Sequence, residues 1–365
     1  MPTARTNGNN AFLSHIPIID ISESDKDIPA KLVDAAATYG FVYIRSVGLD
    51  FTREIIDHIF ALSRKLFQSP PAEKAACAVA EYGNNGWVRV HSENLDPKHQ
   101  KRGDFKEAFN FGEFIDGRAQ QPMPKALALN EADLSRFADL CHALCIKLLK
   151  LFALGLDIDA DDGGEDWFSS RHDTSKGPSG STLRLLFYPA IQASTSGDDA
   201  AVDIRAGPHS DYGSLTLLFQ RSCQPGLEIL TPQSTWAPLA VSPPGTEDDA
   251  SPPILVNVAD LLSYWTNGLL KSTVHRVVSP EGGGEDRYSI AYFCHPANDT
   301  ELVPVPSEVV RTRLLPAKEM GGREAGEEGR EGLEREQTAI TAEEHLNRRL
   351  AATFGWGKQS DPKGD

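Results

Sequence analysis

The chain has 365 residues and a mass of 39.8 kDa, enough to bury one large core or one core with helical elaborations. Its formal net charge of -16 argues against nucleic acid, whose phosphates demand a basic surface, and disfavours an anionic membrane. No apolar run reaches bilayer length and residues 1–10 are polar, so a cytoplasmic protein is expected.

In chain order, residues 16–21 read as a short apolar strand and 24–39 as a helix with Leu32, Val33 and Ala36 on one face. Gly40 stops that helix, and the β-branched and aromatic run 41–44 is a strand. Asp50 is placed to cap a helix through Leu66, in which Ile55, Ile59, Leu62 and Leu66 recur at helical spacing. Pro70 and Pro71 end it, and 72–80 reads as another helix. A long amphipathic helix spans 131–156. Cys141 and Cys145 share its register with Leu134, Phe137, Leu144 and Leu148, so they are expected as buried thiols. With Cys77, Cys223 and Cys294 they make an odd, scattered set, as in a reduced compartment.

From Ser181 the pattern changes to short β-rich runs, at 183–188, 202–206, 214–220, 227–230, 254–258, 273–278 and 288–294, punctuated by Gly, Pro, Asp and Ser. Residues 260–266 read as a helical turn crossing between strands. Such spacing predicts a sandwich or double-sheet jelly roll, mainly β with flanking helices. Segments 193–201, 242–253 and 318–336 look like surface insertions, the last an acidic, Gly- and Glu-rich stretch expected to be disordered or a solvated helix. Thr341 to Glu344 has the form of a capping box opening a terminal helix. The organisation expected is an N-terminal α/β region packing on the core (1–125), a long helix and connection (126–180), the jelly-roll core (181–316), the acidic stretch (317–338) and a terminal helix and tail (339–365).

His209-Ser210-Asp211, answered by His275, supplies two imidazoles and a carboxylate, the set that holds non-haem Fe(II) on one face and leaves the opposite positions open. Residues two apart in an extended segment project to the same side, so His209 and Asp211 can reach one ion. Gly207-Pro208 and Gly213 put them at a strand end, and a third ligand from across a sandwich core is geometrically reasonable. The competing reading is a surface His-Asp pair and an unrelated core histidine.

Residues 279–286, with three successive glycines, read as a loop returning the chain to a strand beside that of His275. On it Arg287 and Ser289 share a face. A guanidinium binds a carboxylate bidentately, and a hydroxyl adds a third hydrogen bond. An interior Arg without an acid is costly, so Arg287 awaits an anionic ligand unless a structural salt bridge engages it.

The chain resembles the Fe(II)/2-oxoglutarate-dependent dioxygenases, in their isopenicillin N synthase-like branch. The likeness runs through Ile16-Pro17-Ile18-Ile19-Asp20, Gly40-Phe41-Val42-Tyr43, Leu183 to Pro189, His209 to Leu218, Gly226-Leu227-Glu228, Trp236, Asn257 to Asp260, Trp265 to Gly268, Ser272 to Val277 and Arg287-Tyr288-Ser289. So long an ordered series is highly specific. It implies a double-stranded β-helix core, iron on His209, Asp211 and His275, and 2-oxoglutarate held by Arg287 and Ser289 with Tyr188 in support. Leu186 stands where many relatives have Asn, which puts one polar contact in doubt.

The resemblance further implies O2 as co-substrate, release of succinate and CO2, and a ferryl species that oxidises, typically hydroxylates, a small metabolite. An apolar wall of Leu186, Leu217, Val277 and Phe293 is expected around the iron, with Phe293 also a candidate substrate contact. Arg184 alternates onto the face of Tyr188 and can meet either a substrate or a core-edge acid. Asn84, Asn85 and Phe109 occupy positions that line the pocket in relatives. Their mixture of amides and aromatics suits a planar, hydrogen-bonding molecule, and the surroundings are similar to those of fungal enzymes that oxidise pyrimidine methyl groups. The alternatives are a 2-oxoglutarate-independent oxidase or cyclase of the same fold and a non-catalytic metal-binding or sensing module. A structural zinc site fits poorly, because the cysteines lack its spacing. Oligomeric state is not legible.

Overall fold

The computed structural model describes residues 16–22, 25–45, 48–190, 204–279, 285–313 and 340–356. The expected insertions at 193–201 and 318–336 lie outside them. Segment 242–253 is described and forms a loop whose Asp249 pairs with Arg45.

The longer helices form where the apolar spacing predicts them. α1 (Ile28–Tyr39) buries Leu32, Val33 and Ala36 and ends at Gly40, in the left-handed region at φ 69°. A side chain at Gly40 would meet Lys271 O and Thr273 Oγ1 at 2.3 Å each, so both conformation and space require glycine. α2 (Arg53–Phe67) is capped by Thr52, whose hydroxyl accepts from Ile55 N at 3.4 Å. Asp50 instead lies in a preceding 3-10 turn, Gly48–Phe51, so the expected cap is two residues early. α3 (Pro71–Ala75) is shorter than expected, because Cys77 O and Val79 N leave the helix to pair with Trp87. α4 (Glu131–Gly155) buries Leu134, Phe137, Cys141, Leu144, Cys145, Leu148 and Phe152, each apolar side chain contributing about 1.5–3 kcal/mol.

The strands are β1 (Ile18–Asp20), β2 (Phe41–Arg45), β3 (Gly86–Val88), β4 (Glu107–Phe111), β5 (Phe114–Ile115), β6 (Arg118–Ala119), β7 (Thr182–Tyr188), β8 (Ala206–His209), β9 (Leu215–Gln220), β10 (Leu227–Leu230), β11 (Trp236–Pro238), β12 (Ile254–Val258), β13 (His275–Val277) and β14 (Arg287–Cys294). Among the described residues they build an eight-stranded sheet, ordered β1-β2-β12-β9-β14-β7-β4-β3, and a four-stranded sheet, ordered β11-β10-β13-β8. This is the expected jelly roll. The N-terminal region does more than pack on it, since β1, β2, β3 and β4 extend the large sheet at both ends.

Alternation gives the large sheet two unlike faces. Val42, Ile44, Phe109, Phe111, Leu183, Leu185, Leu215, Leu217, Ile290 and Tyr292 join the helices in one core. Phe41, Tyr43, Ala108, Leu186, Tyr188, Leu255 and Ala291 face the small sheet, with Leu227, Ile229 and Val277 opposite. The space between the sheets holds the polar residues considered next. α5 (Asp260–Trp265) follows β12, α6 (Glu308–Arg313) lies beyond β14, and α7 (Ala342–Phe354) carries the expected Thr341–Glu344 capping box.

Candidate active site

His209 ends β8 and His275 begins β13, and the two are direct register partners in the small sheet. Their rings lie 4.3 Å apart, centroid to centroid. The third member of the triad therefore comes from the neighbouring strand, not from across the core as expected. Asp211, two residues past the end of β8, puts Oδ1 at 3.8 Å from His209 Nε2 and 3.6 Å from His275 Nε2. One donor atom from each residue lies within 4.8 Å of the other two, the only such group among the described residues.

Each donor is oriented by its other atom. His209 Nδ1 sits 2.7 Å from Gly207 O and His275 Nδ1 3.1 Å from Thr273 O. A proton on Nδ1 satisfies those carbonyls and leaves Nε2 a lone pair aimed inward. Asp211 Oδ2 accepts from Thr216 Oγ1 at 2.6 Å and Asn257 Nδ2 at 2.7 Å, leaving Oδ1 for the imidazoles. Burial, and then His275, push the His209 imidazole down to about 3, so it is neutral at ordinary pH. Burial works against the Asp211 charge, but the imidazoles and the two hydrogen bonds outweigh it and hold the carboxyl below its usual range. Two imidazole nitrogens and one carboxylate oxygen, with no thiolate, fit a divalent iron-like ion with open positions.

Across from the triad, β14 presents Arg287 opposite Tyr188 of β7. β14 belongs to the large sheet and β13 to the small one, so the loop between them crosses from sheet to sheet and does not return beside His275. Arg287 is buried. Its Nη1 donates to Ser289 Oγ at 3.2 Å, Nη2 to Gln220 Oε1 at 3.0 Å and Nε to Gln224 O at 3.2 Å. Its guanidinium carbon lies 5.0 Å from the Tyr188 ring centre. No carboxylate pairs with it among the described residues, and burial lowers its pKa. Arg287, Ser289 and Tyr188 line the same cavity as the triad, which encloses about 1040 Å³ of atom-free space including its mouth.

Of the expected substrate contacts, Arg184, Asn84 and Phe293 line this cavity. Arg184 is paired with Glu93, whose Oε2 also lies 3.1 Å from Lys106 Nζ, and Lys106 pairs in turn with Asp104. Asn84 accepts from Asn110 Nδ2 through its backbone and side-chain oxygens, at 2.6 and 3.1 Å. Phe109 is elsewhere: alternation along β4 turns it into the helix-side core, against Phe111. Asn85 packs over Gly112 and is not among the lining residues. Leu186, Val277 and Phe293 form part of the expected apolar wall, but Leu217 faces the helices and Leu218 takes its place.

Glu93 and Lys106 escape sequence reasoning, because the segment around them has no periodicity. Leu346, Leu350 and Thr353 of α7 also line the cavity. Their spacing of four and three is a readable signal of one helix face.

Three comparisons with known proteins bear on this arrangement. A model of the 2OG-Fe(II) oxygenase superfamily matches residues 180–296, and one described as non-haem dioxygenase in morphine synthesis N-terminal matches 16–130. A UPF0676 protein of Schizosaccharomyces pombe is 37% identical over 80% of this chain and 85% of its own length. The 2-oxoglutarate-dependent dioxygenase gloF of Glarea lozoyensis is 30% identical over 73% of this chain and 81% of its own. The crystal structure of a full-length Neurospora crassa protein in complex with alpha-KG and 5-formyluracil aligns at TM-score 0.68 and 29% identity, covering 97% of this chain and 100% of that one. The chain belongs to the 2OG-Fe(II) oxygenase superfamily, and the N-terminal match is consistent with the isopenicillin N synthase-like branch. It is a non-haem dioxygenase that uses Fe(II), 2-oxoglutarate and O2 to oxidise a small molecule.

Proposed function

We propose that His209, Asp211 and His275 hold the ferrous ion, that Arg287, Ser289 and Tyr188 receive the distal carboxylate of 2-oxoglutarate, and that the substrate lies between Asn84, Arg184 and Phe293. One observation carries this reading. A two-imidazole, one-carboxylate group shares a cavity with a buried guanidinium that has no acid partner among the described residues. Iron bound there supplies O2 activation coupled to decarboxylation of 2-oxoglutarate, with succinate and CO2 as products.

The protein's own part is positioning and exclusion of water. The Nδ1 hydrogen bonds of both histidines fix ring rotation, and Thr216 and Asn257 fix the Asp211 carboxylate. Arg287 presents a planar fork to a carboxylate, with Ser289 beside it and the Tyr188 ring behind it. Leu186, Leu218 and Val277 keep the cavity apolar near the triad.

A planar substrate with amide-like edges, such as a pyrimidine base carrying an oxidisable methyl group, is the favoured class. Asn84 and Arg184 offer hydrogen-bonding groups and Phe293 a flat face, and the similar Neurospora protein was crystallised with 5-formyluracil. The net charge of -16 supports a substrate other than nucleic acid, and with the free cysteines it supports a cytoplasmic setting without a membrane partner. The test is succinate release with Fe(II), 2-oxoglutarate and a panel of pyrimidine bases. Turnover that runs equally well without 2-oxoglutarate, or an Arg287→Ala enzyme with unchanged 2-oxoglutarate dependence, overturns the assignment.

A further inference from the structure

Arg205 immediately precedes β8, four residues before His209, and is 1% exposed. Its Nη2 donates to Glu285 O at 2.6 Å and to Pro189 O at 3.4 Å, while its buried Nε has no hydrogen-bond partner. Pro189 directly follows Tyr188, and Glu285 stands two residues before Arg287. The guanidinium thus bridges the two strand ends at the point where Tyr188 and Arg287 face each other in register.

No carboxylate lies within ion-pair distance of Arg205 among the described residues. Asp286 attracts it, while Asp286 Oδ1 accepts from Ala190 N at 2.9 Å. Burial, followed by repulsion from Arg287, pushes the Arg205 pKa down, with Tyr188 and Asp286 acting the other way. Held by carbonyls, an amide and a hydroxyl, the two buried guanidinium groups form a patch of positive charge with no carboxylate in ion-pair distance among the described residues. Such a patch is costly unless an anion completes it.

We propose that Arg205 is a second cationic anchor for the distal carboxylate of 2-oxoglutarate, a positioning residue acting through the Tyr188–Arg287 pair without touching the ligand. The proposal rests on the reading of Arg287 given above. A second charge behind the first deepens the potential at the carboxylate, and bracing both strand ends fixes the distance between the Arg287 fork and the triad. Arg205 therefore selects for a 2-oxo acid with a second, distal carboxylate.

The test is calorimetric titration of the full-length Mn(II)-loaded protein under nitrogen with N-oxalylglycine, a dianionic non-reacting analogue, and with pyruvate, which lacks the distal carboxylate. Arg205→Gln should weaken N-oxalylglycine binding about tenfold and leave pyruvate unchanged. Arg205→Lys, which keeps the charge, should restore most of the preference. Equal weakening of both ligands would show a strand staple without an electrostatic role and overturn the proposal, as would no change in either. Should Arg205→Gln not fold, Arg205→Met takes its place with the same readings: lost preference for the dianion supports the anchor, and retained preference refutes it. Arg287→Gln is the separating control. If that variant keeps the full preference for the dianion, the underlying assignment of Arg287 has failed; if it loses the preference while Arg205→Gln does not, only the present inference has.

Discussion

Asn257 donates to the Asp211 carboxylate oxygen that points away from the two imidazoles, at 2.7 Å. Thr216 donates to the same oxygen at 2.6 Å, so the free oxygen is turned toward the His209–His275 pair. Removing an outer partner of this kind typically costs 10–100-fold in metal affinity. Asn257→Leu keeps the volume and deletes the donor. It should weaken Mn(II) or Fe(II) binding by about that factor while the far-ultraviolet dichroism stays native. Unchanged metal affinity would mean that the carboxylate needs no such orientation.

Ser289 accepts from Arg287 Nη1 at 3.2 Å, one strand step along the same face. A hydrogen bond to a charged group contributes about 1.5–3 kcal/mol, so Ser289→Ala should raise the KM for 2-oxoglutarate about tenfold or more. The KM for the oxidised substrate should hardly move, because the proposed substrate contacts Asn84, Arg184 and Phe293 are untouched. A variant in which both constants rise together would argue for general loosening of β14.

Phe109 is fully buried on the helix side of β4, with its ring 4.6 Å from that of Phe111. Phe109→Ala should destabilise the fold by about 3–5 kcal/mol, read by urea denaturation. Phe109→Leu, a smaller change, should lower the midpoint with little effect on substrate KM. A large KM effect without loss of stability would restore the pocket role expected from its position in the sequence.

Phe109 also marks where legibility ends. Alternation places Arg184, Leu186 and Tyr188 on one face of β7, and Arg287 and Ser289 on one face of β14, because both segments read as strands and their charged residues set the phase. The segment at 107–111 carries no strand signal of that clarity, so its phase cannot be read in advance. Ala108 and Asn110 face inward, and Phe109 does not. Leu217 misleads for a related reason: in a run of consecutive leucines the inward member is fixed only by its partners across the sheet. The glycine-rich link after His275 looks locally like a hairpin, and only long-range pairing shows that it changes sheets. The buried Glu93, Asp104 and Lys106 are illegible, since charged residues in an aperiodic segment read as solvent-facing.

Glu93 carries a pH prediction. Burial alone would raise its pKa, but Arg184 and then Lys106 hold it at about 2. An unfolded glutamate titrates near 4.3, so the folded value is depressed. The stability it contributes is complete above about pH 4.3 and fades as the pH falls from there toward 2. Glu93→Gln leaves Arg184 and Lys106 short of one anion and should cost about 3–5 kcal/mol at pH 7. The gap between variant and parent, from urea melts at stepped pH, should shrink as the buffer goes from pH 5 to about 3. A gap independent of pH would show that the carboxylate is not charged in the folded protein.

Thr341 links helix capping to the wall of the cavity. Its hydroxyl accepts from Glu344 N at 3.2 Å, and its own N–H donates to Glu344 Oε2 at 3.1 Å, closing both ends of the box. Loss of such a cap costs about 1 kcal/mol, within a range of 0.5–2. α7 is also held by Arg349 on Asp260 at 3.2 Å, by Thr353 on Tyr212, and by the buried Ala342 and Leu350. Thr341→Ala should speed amide hydrogen exchange through 342–354 and raise the substrate KM, because Leu346 and Leu350 face the cavity from this helix. The KM for 2-oxoglutarate should stay near the parent value, since Arg287, Ser289 and Tyr188 stand on β14 and β7. Faster exchange with no change in substrate KM would show that α7 covers the cavity without shaping it.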